Sequence, residues 1–83
     1  MRQYTVSHPG VIIARDLADM GKSAQSFVNE TQIAAEFLEG KLSLTAGMAV
    51  HIAALMGGTP EFWMRLQYMY DLHQQKLKAE RRK

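Results

Sequence analysis

The three histidines, the serines and a glycine pair are where chemistry would first be sought in this 83-residue chain. A zinc site needs several ligands brought together, commonly at short helical spacing. None of His8, His51 or His73 has a ligating residue at i+3 or i+4. Cysteine is absent, which removes thiolate metal sites and disulfides together. The serines lack the nucleophile–base pattern of covalent catalysis. Gly57-Gly58 reads as a helix stop rather than a phosphate-cradling loop. The chain is therefore expected to bind rather than catalyse, with no metal and no cofactor.

Its charge is unevenly placed. The net charge is +2 and the pI about 9.2. However, residues 76–83, KLKAERRK, hold five of the ten bases against one acid, a local charge of +4. Residues 1–75 carry five bases and seven acids and are mildly acidic. A basic pI usually invites a nucleic-acid reading, but here it arises from a tail that is solvated or serves as a basic arm. The division expected is a helical domain over 1–75 and a basic tail over 76–83. No apolar run approaches the roughly 20 residues that span a bilayer, and the first residues lack a signal-peptide core. A cytoplasmic protein without a membrane partner is expected.

The elements that must position any binding residues are helical. Pro9 suits a first helical turn, with His8 or Ser7 as the cap, and Gly21 stops that segment. Ser23 caps the next stretch, in which Ala24, Phe27, Val28, Ile33, Ala34, Phe37 and Leu38 lead to Gly40. Thr45 caps a helix with Met48, Ala49, Ile52, Leu55 and Met56 inward. Thr59-Pro60-Glu61 combines a capping hydroxyl, a first-position proline and a dipole-favourable acid; this helix is expected over residues 60–77. Only residues 3–6 could be extended. The fold class is all-α, with four or five short helices. The last helix carries more apolar bulk than one face needs. Phe62, Trp63, Leu66 and Tyr70 are expected at a dimer interface, ahead of the alternative that they wrap the chain's own core.

HPG at 8–10, IARDLADMG at 13–21, LEGK at 38–41, the Leu-Thr start at 44–45 and TPEFWMRLQYMYDL at 59–72 together resemble HigA-type antitoxins. The resemblance spans most of residues 1–75, and TPEFW…LQ…YDL is its most specific part. It implies a small four- to five-helix bundle of the lambda-repressor-like helix-turn-helix type. It further implies a homodimer that neutralises a cognate mRNA-cleaving toxin and represses its own operon by binding operator DNA. Lys22, Ser23, Gln25 and Lys41 stand where family members touch phosphate. Thr31 and Gln32 fall where bases are read, and glutamine can read adenine in the major groove.

One departure bears on that reading. Counted back from Gly40, the cap of the third helix falls at Glu30, and only Val28 and Asn29 separate it from Phe27. The family has six residues there, so the turn is four residues short. Four residues is close to one helical turn, and residues 24–39 contain neither glycine nor proline. One fused helix of about 16 residues is therefore expected, in preference to a second helix ending at Asn29 with Thr31 capping a third. Glu36 stands where the family commonly has arginine. With Glu30 and Glu39 it leaves the reading segment acidic, which disfavours phosphate contact. Val11 replaces an acid common in the first turn of the first helix. These departures motivate a second reading, a dimeric interaction module that has lost sequence-specific DNA binding.

Overall fold

The computed structural model describes residues 6–81, which form four α-helices and one short 3-10 helix. They are α1 (Pro9–Asp19), α2 (Ala24–Thr31), the 3-10 helix Ala35–Glu39, α3 (Ala46–Met56) and α4 (Pro60–Arg81). No strand occurs among the described residues. Residues 3–5 of the stretch expected to be extended lie outside them.

The helix starts follow the sequence signals. His8, not Ser7, caps α1: its Nδ1 accepts from the Gly10 N–H at 2.9 Å. Ser23, Thr45 and Thr59 accept from the backbone N–H groups of Ser26, Met48 and Phe62. Gly21 (φ 74°) ends α1 in a Schellman turn, with its own N–H on Ala18 O and the Lys22 N–H on Leu17 O. Helix α4 continues to Arg81, past the residue 77 expected. The continuation carries Lys78 and Arg81 in its last turn, where cations complement the dipole.

The fused second helix does not form. The chain leaves α2 after Thr31, and Gln32 adopts a left-handed conformation (φ 62°, ψ 19°). Glu30 is inside α2 rather than a cap, and Asn29 is not the turn residue. The cause is apolar burial. On a continuous helix the Phe27, Ala34 and Leu38 stripe faces inward, but Ile33 and Phe37 stand roughly 80–120° away from it. Breaking at Gln32 turns both of them into the core, with Ile33 6% exposed and Phe37 0%. Burying two such side chains gains roughly 1.5–3 kcal/mol each. The left-handed residue costs roughly 1–2 kcal/mol. Burial wins.

The core contains Ile13, Leu17, Phe27, Ile33, Phe37, Leu38, Leu44, Ala49, Ile52 and Trp63. The 3-10 helix docks on the start of α1, where a Cβ on Gly10 would run into the carbonyl oxygen of Phe37. Only glycine allows that approach. Helix α4 is tied to the segment before α3 by Gln67, whose buried Oε1 accepts from the Leu44 N–H at 2.8 Å. Its first turns are tied to the end of α3 by the Trp63 indole, which donates to Gly57 O at 3.0 Å.

Candidate nucleic-acid interface and partner surface

The residues expected to meet DNA lie around α2 and the turn that follows, and most are already engaged. Ser23 Oγ caps α2. Gln25, exposed, donates through Nε2 to Asn29 Oδ1 at 3.0 Å. Thr31 is buried. Its Oγ1 donates to Phe27 O at 2.8 Å and accepts from the Ile33 N–H at 3.1 Å, so it builds the corner instead of facing outward. Gln32 is exposed, but its Nε2 donates to Asn29 O at 3.0 Å.

Two cations remain. Lys22 is exposed just before α2. Lys41 is exposed and bridges Glu39 at 3.0 Å; that carboxylate holds the Lys41 amine above its ordinary pKa. Between Thr31 and Gly40, where a reading helix would lie, the chain forms only a five-residue 3-10 helix. Ala34 caps it without a side-chain bond, and Glu36 lies in its first turn. Glu30, Glu36 and Glu39 are all exposed. Three exposed carboxylates thus stand between residues 30 and 39, with Lys22 before and Lys41 after them in the chain. Such a surface favours neither phosphate nor a deep approach of base edges.

The expected dimer residues separate into two groups. Trp63 is 6% exposed and belongs to the chain's own core. Leu66 and Tyr70 are half-buried. Tyr70 packs edge-on to the His8 ring, with centroids 5.0 Å apart. Phe62 is 47% exposed and stacks edge-on against Trp63. The surplus apolar bulk read on this helix also included Met69 and Leu72, which were not assigned to the interface. Met69 and Leu72 are also exposed and follow Phe62 at intervals of seven and three. With Val6, His73 and Lys76, Met69 and Leu72 line a shallow hollow of about 200 Å³. The signal was available as a heptad-like spacing on α4, masked by the neighbouring core stripe.

His8 and Gln67 are the other residues whose importance emerges only in three dimensions. The His8 ring is 4% exposed and also packs edge-on to Phe37, joining α1, the 3-10 helix and α4. Burial pushes its pKa below the ordinary histidine value, against the opposing effects of the Leu42 backbone and the Asp71 charge. Gln67 also donates to Asp71 Oδ1 at 2.8 Å. Among the described residues no cluster of metal-ligating side chains occurs, and no helix is long and apolar enough to cross a membrane.

No protein-family profile matches the chain. It is similar to the uncharacterised HTH-type transcriptional regulator YddM of Escherichia coli (strain K12), with 30% identity over 76 residues covering 87% of this chain and 81% of that one. It is 38% identical over 78 residues to virulence-associated protein A′ of Dichelobacter nodosus, covering 88% and 68% of the two chains. Among solved structures it superposes on an addiction module antidote protein of a HigA family from Coxiella burnetii with a TM-score of 0.83. That match has 32% identity and covers 95% of this chain and 91% of the other.

Proposed function

The chain belongs to the HigA family of antidote proteins, and on that premise we propose that it is the cytoplasmic antitoxin of a toxin–antitoxin pair. It binds and neutralises a cognate mRNA-cleaving toxin, acts as a homodimer, and touches the DNA of its own operon through phosphates with little base discrimination. The observation that carries the last point is the segment 31–41. Thr31 and Gln32 are bonded to their own backbone, the would-be reading helix is a five-residue 3-10 turn, and Glu36 faces outward from its first turn. Phosphate contact is left to Lys22, Ser23, Gln25 and Lys41. The homodimer is supported by the exposed Phe62, Met69 and Leu72 on α4, an apolar surface that association would remove from water.

A second reading, full operator-specific autorepression, is favoured by the similarity to an HTH-type transcriptional regulator. A fluorescence-anisotropy titration separates the two, using promoter DNA and a scrambled duplex at several salt concentrations. Comparable, steeply salt-dependent binding to both is the expected result. Preference for the promoter by about 10³-fold or more at physiological salt establishes the repressor reading instead. The toxin is tested separately: the product of the adjacent open reading frame, co-expressed with this chain, is expected to form a stable complex in which mRNA cleavage is suppressed.

A further inference from the structure

Helix α4 is tied to the body through Trp63, Gln67 and Tyr70, which meet Gly57, Leu44 and His8. It then runs on to Arg81, about 16 Å beyond Tyr70 at roughly 1.5 Å per residue. At roughly 100° per residue, Trp63, Gln67, Tyr70, Gln74, Lys78 and Arg81 fall within about 60° of one another around the helix. One face therefore runs the length of α4, and its exposure rises along it. Trp63 and Gln67 are buried, Tyr70 and Gln74 half-buried, Lys78 and Arg81 exposed. The face that packs on the body over its first half becomes cationic where it overhangs.

The opposite side of the same end differs. Lys76 stands roughly 140° round from Trp63, where it lines the hollow of about 200 Å³ with Val6, Met69, Leu72 and His73. Glu80 falls on that side as well, one turn on from Lys76. The Lys78–Arg81 face has no acid beyond Asp71, which lies about two turns back and already accepts from Gln67. Among the described residues neither Lys78 nor Arg81 forms an ion pair. The part of the body that this face overhangs is the segment before α3: Gly40 lies against His8, His8 packs on Tyr70, and the Leu44 N–H is held by Gln67. Lys41 belongs to that segment, and it is tied to Glu39. The uncompensated positive charge at this end of the molecule is on α4.

We propose that the Lys78–Arg81 face of α4 is a second DNA-contact surface, gripping the phosphates of duplex DNA without reading bases. This rests on the DNA contact proposed above and supplies the cations that the α2 corner lacks, where Glu30, Glu36 and Glu39 outnumber Lys22 and Lys41. Duplex DNA carries one negative charge per roughly 1.7 Å of its axis, so a helix lying along its backbone meets phosphates whatever the sequence. Lysine offers them a point charge and arginine a fork of donors. Such attraction needs no reading helix, so it is compatible with a corner whose Thr31 and Gln32 are bonded to their own backbone.

The test is fluorescence anisotropy of the full chain with promoter and scrambled duplexes between about 50 and 300 mM salt. Lys78→Gln/Arg81→Gln removes both charges but keeps good helix formers, and circular dichroism checks that the helices are retained. This variant is expected to bind both duplexes at least about tenfold more weakly at the lowest salt, with the slope of log K against log salt flattened by about 2. Lys78→Arg/Arg81→Lys keeps the charges and is expected to keep the slope. Lys76→Gln, on the opposite side, is expected to change the slope by less than about 0.5. A wild type that binds neither duplex overturns the DNA contact and this surface together, and leaves the antitoxin reading to the toxin assay. Binding that Lys78→Gln/Arg81→Gln leaves unchanged, while Lys22→Gln/Lys41→Gln weakens it, overturns this surface alone. A slope change per charge from Lys76→Gln as large as that from the pair overturns the face and leaves only diffuse tail charge. A loss confined to the promoter shows base reading and overturns the phosphate grip.

Discussion

The frame around α4 and the corner after α2 both rely on polar side chains bonded to backbone, but over different distances in sequence. Gln67 reaches the Leu44 N–H across 23 residues, and Trp63 reaches the end of α3. At the corner, Thr31 and Gln32 reach only Phe27, Ile33 and Asn29. The first arrangement locks separate elements together. The second closes a local bend and removes from solvent or occupies the groups that would read DNA. The scaffold is thus held by long-range contacts, while the segment expected to read DNA closes on itself.

The largest expected effect falls on the frame. Trp63→Ala removes a buried aromatic and its bond to Gly57, and is expected to cost roughly 3–5 kcal/mol of unfolding free energy in urea denaturation. An unchanged transition midpoint would move Trp63 out of the core and restore it to the dimer surface expected from sequence. Gln67→Leu conserves shape but leaves the buried Leu44 N–H without a partner, at an expected cost of about 1–3 kcal/mol. The corner should respond with the opposite sign. Gln32→Gly relieves a left-handed conformation, and denaturation is expected to show stabilisation of up to about 1 kcal/mol. Destabilisation by that substitution would show that the Gln32–Asn29 bond matters more than the backbone.

How much of this was legible in the sequence follows the same division. Caps, stops and the inward face of α3 were readable because each depends on residues within one turn. Pro9, Ser23, Thr45 and Thr59 signal the same thing wherever they occur. The break at Gln32 was not readable from local rules. Residues 24–39 have no breaker, and glutamine is an ordinary helix former. The break is decided by whether Ile33 and Phe37 find a core to enter, and that core is built by α1, placed against them through Gly10. In the same way Trp63 was expected at a dimer interface but packs in the chain's own core, since apolar bulk on a helix does not state which surface it meets. The roles of His8 and Gln67 were hidden for a related reason: each is a polar residue whose partners come from distant elements.

His8 offers a way to sharpen the contrast by pH. Its Nδ1 accepts the Gly10 N–H, so protonation there removes the cap and adds a cation at the positive end of α1. Burial lowers its pKa in the folded state, so between the folded and unfolded values the unfolded chain binds more protons. Stability is therefore full above the ordinary histidine pKa near 6.5 and declines as pH falls through the lowered folded value. His8→Asn keeps a capping acceptor without titrating. Thermal unfolding between about pH 7.5 and 5 is expected to show a smaller pH slope for this variant than for the wild type. Equal slopes would assign the acid sensitivity to another group and leave the junction insensitive to protonation.

The smallest expected effect on stability is also the most informative about the corner. Glu36 is exposed in the first turn of the 3-10 helix and makes no ion pair within 4 Å among the described residues, so Glu36→Arg should leave the unfolding midpoint nearly unchanged. Its effect should appear on DNA instead. Replacing an acid with a base at a phosphate-facing position adds a contact that releases counterions, which steepens the dependence of log K on log salt by about 1. If the corner has lost only its charge, the variant should bind promoter and scrambled duplex more tightly by a similar factor at low salt. If affinity rises for the promoter alone, base-reading groups persist at Gln32 and its neighbours, and the acidic face was masking them. If neither affinity changes, the segment does not approach DNA, and Lys22, Ser23 and Gln25 must carry any contact from the start of α2.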